Sequence, residues 1–213
     1  MRVIDLTRTI SDTTPVYPGT QGPSLSIVNT YEDSGFKETL LTMYSHTGTH
    51  MDAPNHIYPE GTSLDQKEVS GFVGKGCVID AREVKAGGII DISYIERNKA
   101  RVERADFIVF QTGWQKFWGQ AEYFGQYPVI SIEVATYLVK NNKKGIGLDN
   151  IGLDPIADAE LTLHHIILAN ENMVIIENLC NLDLIGEADF LIAALPLKFE
   201  NSDGAPVRTI AIL

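Results

Sequence analysis

Cysteine, basic residues and long apolar runs are all scarce in this chain, and each scarcity removes a class of protein. The two cysteines, Cys77 and Cys180, lie far apart and each within an apolar segment. They read as buried thiols and not as a disulfide framework. Lysine and arginine number 17 against 28 aspartates and glutamates, leaving a net charge of −11. No basic stripe remains to neutralise phosphates, which argues against nucleic-acid binding. No run approaches the roughly 18 apolar residues of a membrane span. The opening "MRVIDLTRTISD" lacks the continuous apolar core of a secretory signal. The expectation is therefore a soluble cytoplasmic protein. At 213 residues and 44% apolar content, the chain suits one domain spanning 1–213 with a substantial core.

What is present is a set of short apolar segments punctuated by glycine and proline. Segments 77–81, 106–112, 128–131, 145–149, 173–179, 189–198 and 206–213 are mostly β-branched and continuously apolar. Such runs predict strands covered on both faces. Helices are predicted over 131–145, 91–103 and 158–170. In the first of these Ser131 suits the N-cap, and Lys143, Lys144 and Gly145 suit the end. The alternation gives a single α/β domain with a mixed sheet.

Histidine is also scarce, with five residues in two groups: His46, His50 and His56, then His164 and His165. Asp52 lies inside the first group, in "SHTGTHMDAPNH". On a helix at about 100° per residue, His46, His50, Asp52 and His56 sit near 0°, 40°, 240° and 280°, which is not one face. On a strand all four share a face, because every spacing is even. A straight strand nevertheless puts residues four apart about 13 Å from each other, at about 3.3 Å per residue. Two ligands of one metal must each lie about 2 Å from it. The chain must therefore bend, and Gly48 is the residue best able to bend it, with Pro54 restricting the path further on. Imidazoles with a carboxylate suit zinc, manganese or iron, and a bridging aspartate would suit two ions. His164, His165 and Glu177 are the natural distal ligands. Glu177 sits in the apolar run "MVIIENL", where an unpaired carboxylate is costly. Metal coordination accounts for it, as would pairing with an arginine or lysine at the sheet edge.

The motif "HTGTHMDAPNH" resembles the His-x-Gly-Thr-His-x-Asp-x-Pro-x-His signature of the cyclase family, which includes bacterial kynurenine formamidases and isatin hydrolases. The segments "TTPVYPGT", "QTGW", "GIGLDNIGLDP", "IIENLCNLDLI" and "LPLKFENSDGAPVR" extend the resemblance over nearly the whole chain. The resemblance implies a swivelling β/β/α-type fold and a dinuclear centre with two zinc ions per subunit, manganese being an alternative. By similarity His46, His50 and Asp52 bind one ion, Asp52 bridges to a second, and a downstream histidine and Glu177 complete the site. Counting twelve residues back from Glu177 selects His165. Matching "HHIIL" to the family's helix start selects His164, at the cost of one extra loop residue, and loops accept insertions more easily than helices.

His56 is implied as the catalytic acid/base, and Tyr17 as a substrate-binding residue where kynurenine formamidases typically carry tryptophan. Trp114 is a further candidate wall of the pocket. The implied reaction is hydrolysis of a small-molecule amide, most simply N-formylkynurenine, by metal-activated water. An isatin-like lactam is the alternative substrate. A non-catalytic metal- or ligand-binding protein is disfavoured because His56 is retained. The resemblance also implies a homo-oligomer, a dimer or tetramer.

Overall fold

The apolar runs close on themselves. The structure, a computed structural model, describes residues 1–213. The chain opens with β1 (Val3–Asp5), then an outlying hairpin of β2 (Ser24–Asn29) and β3 (Glu38–Thr42) joined through the short helix α1 (Tyr31–Ser34). It continues through β4 (His50–Asp52), β5 (Val73–Asp80), β6 (Ile89–Ile90), α2 (Ile92–Arg97), α3 (Lys99–Arg104) and β7 (Phe107–Gln111). The second half holds β8 (Val129–Ile130), α4 (Ile132–Lys140), β9 (Gly145–Leu148), α5 (Thr162–Leu168), β10 (Val174–Glu177), β11 (Phe190–Pro196) and β12 (Gly204–Ile212). All seven predicted strand segments are strands.

The principal sheet runs β1-β12-β11-β5-β7-β9-β10-β4, and β4 also pairs with β12. That last pairing closes seven strands into a barrel, with β1 sharing the β12 edge that β4 occupies further along. The pairs β5–β7, β7–β9 and β9–β10 are parallel and the rest antiparallel, so the sheet is mixed as predicted. The sequence reading did not foresee the closure. It depends on β4, which carries only one apolar residue and was not identified as a strand.

Strand alternation sorts the side chains into two cores. Val78, Phe107, Val109, Val174, Ile176, Met51 and Ala205 fill the barrel interior. Cys77, Ile79, Ile108, Phe110 and Ile175 face outward and pack with Ile95, Val102, Leu138 and Ile167 of the helices. Strands covered on both faces have no polar side to alternate, which explains their continuous apolar runs.

The helices follow local chemistry. The Ser131 hydroxyl accepts a bond from Val134 N (3.2 Å) at the start of α4. The helix ends at Lys140, before the predicted stop, because Asn142 turns left-handed at φ 50°. Lys143 then buries its ammonium on the carbonyls of Val102 (2.6 Å) and Ala105 (2.7 Å) at the end of α3. The single helix predicted over 91–103 is broken at Asn98, whose amide bonds back to Tyr94 O at 2.9 Å. No helix is long and apolar enough to cross a membrane.

Candidate metal centre and active site

In β4, Met51 points into the barrel, so His50 and Asp52 on either side of it point out. In β10, Ile176 points in and Glu177 points out. The strands pair antiparallel with Glu177 opposite His50 and Ile175 opposite Asp52. Period-two geometry therefore sets two carboxylates and an imidazole side by side on one face. His50 Nε2 lies 3.3 Å from Asp52 Oδ1 and 3.4 Å from Glu177 Oε2. Its Nδ1 lies 2.9 Å from Gly48 O, and a carbonyl only accepts, so Nδ1 carries a proton and Nε2 is the nitrogen turned to the two carboxylates.

Helix α5 brings a second imidazole. Asp154 accepts bonds from Leu163 N (2.7 Å) and His164 N (3.0 Å) and holds His164 Nδ1 at 2.6 Å. His164 Nε2 then faces Glu177 Oε1 at 3.5 Å and Asp52 Oδ2 at 3.6 Å. His165, one residue on, turns outward: it is exposed, and its carbonyl accepts the Tyr58 hydroxyl at 2.8 Å. The 100° step of the helix separates the two histidines. Of the two downstream candidates, only His164 joins the cluster.

His46 reaches the same place because the chain bends at Gly48, as its spacing required. Gly48 has φ 65°, and a Cβ there would lie 3.1 Å from Ile10 Cγ1. Gly48→Ala is expected to destabilise the fold by about 1–2 kcal/mol through the left-handed backbone alone. Denaturant unfolding measures this, and an unchanged midpoint would contradict it. His46 Nδ1 sits 2.6 Å from Asp52 Oδ1, and Nε2 sits 3.1 Å from Asp203 Oδ2. His56 follows on a 3₁₀ turn, Pro54–His56, whose first residue is a proline with preset φ. Its ring centroid lies 4.1 Å from that of His46, and Nδ1 is 3.9 Å from Asp203 Oδ2.

Two residues that sequence reasoning missed thus belong to the cluster: Asp154 and Asp203. Both stand in turns that were quoted, "GLDP" and "SDGAP", without a role being given to either aspartate. Gly204 supplies the close approach: a Cβ there would lie 2.5 Å from His46 Cε1.

The residues fall into three triplets whose ligand atoms lie within 4.8 Å of one another: His46–His50–Asp52 and Asp52–His164–Glu177, with Asp52 common to both, and the less buried His46–His56–Asp203. Asp52 Oδ2 is buried and has no hydrogen-bond partner, a cost that a cation would remove. Ligand atoms around a tetrahedral ion with bonds of about 2.0–2.1 Å stand about 3.3–3.4 Å apart. The separations of 3.3–3.6 Å that His50 and His164 make with Asp52 and Glu177 are of that size. The donor set fits a divalent ion, and so does the spacing of these four groups, whereas His46 Nδ1 lies at hydrogen-bond distance from Asp52 Oδ1, 2.6 Å.

The electrostatics agree. Burial opposes a charge on His46, but the carboxylates of Asp52 and Asp203 outweigh it and raise its pKa to about 10. His164 is raised for the same kind of reason, with Asp154 foremost against burial. Burial likewise works to raise Asp52, yet His46 and His50 hold it well below the usual carboxylate range. Asp203 is lowered to about 2, chiefly by its hydrogen bond to His46. Without an ion, protons take the cationic places, so metal uptake would release them. His56 goes the other way: burial, aided by His46 and His164, lowers it to about 4, leaving it neutral.

The cluster floors a cavity of about 730 Å³ whose walls include Pro15, Val16, Tyr17, Tyr44, Ile151 and Ile156. Tyr17 is half-exposed, and its hydroxyl meets Ile156 O at 3.4 Å. Trp114 does not line this cavity. It packs on Phe117 at 4.9 Å, with Nε1 donating to Tyr123 O at 3.1 Å. No lysine or arginine lines the cavity. A smaller hollow of about 290 Å³ beside Arg101 and Phe190 holds none of the clustered groups.

Known proteins resemble this chain over nearly its whole length. Residues 4–155 match the Cyclase family model. Over 209 residues the chain is 32% identical to a kynurenine formamidase of Bacillus cytotoxicus, covering 97% of this chain and 95% of that protein. Isatin hydrolase A from Ralstonia solanacearum superimposes with a TM-score of 0.88 at 27% identity, covering 100% of this chain and 92% of that one. A protein described as a predicted metal-dependent hydrolase from Bacillus stearothermophilus gives 0.80 at 25% identity, over 99% of this chain and 97% of that one. With its signature residues gathered at one centre and its length matched almost end to end, the chain belongs to the cyclase family.

Proposed function

We propose that the chain is a divalent-metal-dependent amide hydrolase that acts on an aryl formamide, N-formylkynurenine foremost, releasing formate and the aryl amine. The observation that carries this reading is the pair of ligand triplets sharing Asp52, with neutral His56 beside them in an aromatic-walled cavity. His46, His50 and Asp52 would hold one ion and Asp52, His164 and Glu177 a second, zinc by resemblance with manganese as a substitute. A divalent ion in this setting supplies Lewis acidity, polarising a carbonyl and lowering the pKa of water from about 15.7 toward 7.

The chain's own residues do the rest. As water oxygen adds to the formyl carbon, His56 accepts the proton that the water sheds. When the C–N bond breaks, the same ring returns the proton to the leaving nitrogen. Tyr17 and Tyr44 offer faces for the aryl group. No lysine or arginine in the walls meets a carboxylate, whereas Asp158 at the lining can face an ammonium.

The kynurenine formamidase of Bacillus cytotoxicus, 32% identical, supports the formamide. A second reading, an isatin-like lactam, is favoured by the likeness to isatin hydrolase A and by the apolar part of the wall, Pro15, Val16, Ile151 and Ile156, which suits a neutral ring. Steady-state hydrolysis of both compounds by metal-loaded protein separates them. A kcat/KM at least about tenfold higher for N-formylkynurenine, about 1.4 kcal/mol in the barrier, is expected, and turnover of isatin alone would overturn the formamidase reading.

The same reading takes residues 1–213 as one domain, a variant of the swivelling β/β/α type with its sheet closed. It also takes the protein to be a cytoplasmic homo-oligomer. Exposed Ile27, Val28, Leu40 and Leu41 on the β2–β3 hairpin support a subunit contact. Two free buried cysteines suit a reducing compartment.

A further inference from the structure

Each of the three histidines in the two triplets that share Asp52 uses one ring nitrogen toward the shared carboxylates and gives the other to an acceptor behind it. His50 gives Nδ1 to Gly48 O at 2.9 Å, and His164 gives Nδ1 to Asp154 Oδ2 at 2.6 Å. His46 turns Nδ1 toward Asp52 and gives Nε2 to Asp203 Oδ2 at 3.1 Å. Asp203 and Asp154 thus hold equivalent places behind different triplets.

Asp203 is itself held firmly. Its carbonyl accepts Ala53 N at 2.9 Å, extending the β4–β12 pairing by one residue, and Ser45 Oγ donates to its carboxylate at 3.3 Å. The next residue, Gly204, lies in register with Asp52 and leaves room for the His46 ring. The strand that carries the carboxylate is therefore the strand against which the ligand lies.

We infer that Asp203 is the positioning residue for the ion held by His46, His50 and Asp52, as Asp154 is for the ion held by Asp52, His164 and Glu177. A carboxylate behind a ligating imidazole fixes its tautomer and ring angle and strengthens it as a donor. Loss of such a partner typically weakens metal binding 10–100-fold. This rests on the two-ion reading given above.

The test measures metal binding and not turnover. Chelator-stripped wild type, Asp203→Asn and Asp154→Asn are titrated with zinc in competition with a chromophoric chelator. His46→Ala identifies which of the two steps belongs to the first triplet. Asp203→Asn should weaken that step about 10–100-fold and leave the other within about threefold, while Asp154→Asn should do the converse. Circular dichroism melts of the stripped proteins check that the variants fold.

Equal affinity in Asp203→Asn and wild type would overturn the inference alone. So would equal weakening of both steps, which marks a general structural effect. Outright loss of one ion from the stoichiometry would make Asp203 a direct ligand, which also overturns it. A wild type that takes up no ion would remove the two-ion reading and this inference together.

Discussion

Asp52→Asn is expected to lower kcat/KM at least about 10³-fold, a loss of about 4 kcal/mol in transition-state stabilisation, and to strip the protein of most of its metal. Asparagine keeps the volume and one oxygen, so no cavity opens and the fold should survive. What disappears is the charge and the second oxygen. Asp52 Oδ1 faces His46 and His50 at 2.6 and 3.3 Å, and Oδ2 faces His164 at 3.6 Å. No other side chain is common to the two triplets built on it, so no neighbour can replace it. Elemental analysis alongside steady-state kinetics reads both effects. Near-normal rate with full metal content would remove Asp52 from the centre.

His56→Ala should separate the two properties. A positioned general acid/base typically contributes 10²–10⁴-fold, and kcat is expected to fall by about that much. Metal content should stay at the wild-type level, because the one triplet that His56 joins, with His46 and Asp203, is only partly buried and lacks the shared carboxylate of Asp52. Its nearest carboxylate contact, 3.9 Å to Asp203, is too long for a hydrogen bond. Its neutrality, set first by burial, suits it to accept a proton at the start of a cycle. A variant that loses metal together with activity would make His56 a ligand, and one that keeps its rate would make it a bystander.

The parts of this molecule that were legible in the sequence are those governed by local periodicity. Continuous apolar runs marked seven strands: β7, β8, β9 and β10 are buried along their whole length, while β11 keeps apolar residues such as Leu191 and Leu195 on an exposed face. The even spacing of His50 and Asp52 placed them on one face, and the hinge at Gly48 was required by distance alone. Glu177 stood out as a carboxylate in an apolar run, and the answer to it is two imidazoles with a backbone donor, Leu153 N at 2.7 Å. No lysine or arginine pairs with it.

The parts that were not legible depend on chain segments far apart. Asp203 meets His46 across 157 positions of sequence, and nothing in "SDGAP" announces that partner. Strand β4 escaped because two of its three residues are polar, and closure of the barrel escaped with it. Asp154 looked like an ordinary turn residue until α5 set His164 against it. The choice between His164 and His165 turned on which one faces β4 and β10, a matter of helix phase that sequence spacing left open. Trp114 illustrates the reverse error: a conspicuous aromatic beside a motif turned out to be packing.

The most direct test of a catalytic dinuclear centre is a zinc titration of chelator-stripped protein, followed by N-formylkynurenine hydrolysis at each step. The stripped protein should be inactive, and the rate should rise with added zinc and level off at two equivalents per chain. Undiminished hydrolysis in the stripped protein would contradict a metal-dependent reaction, and so would full occupancy of both sites with neither N-formylkynurenine nor isatin turned over.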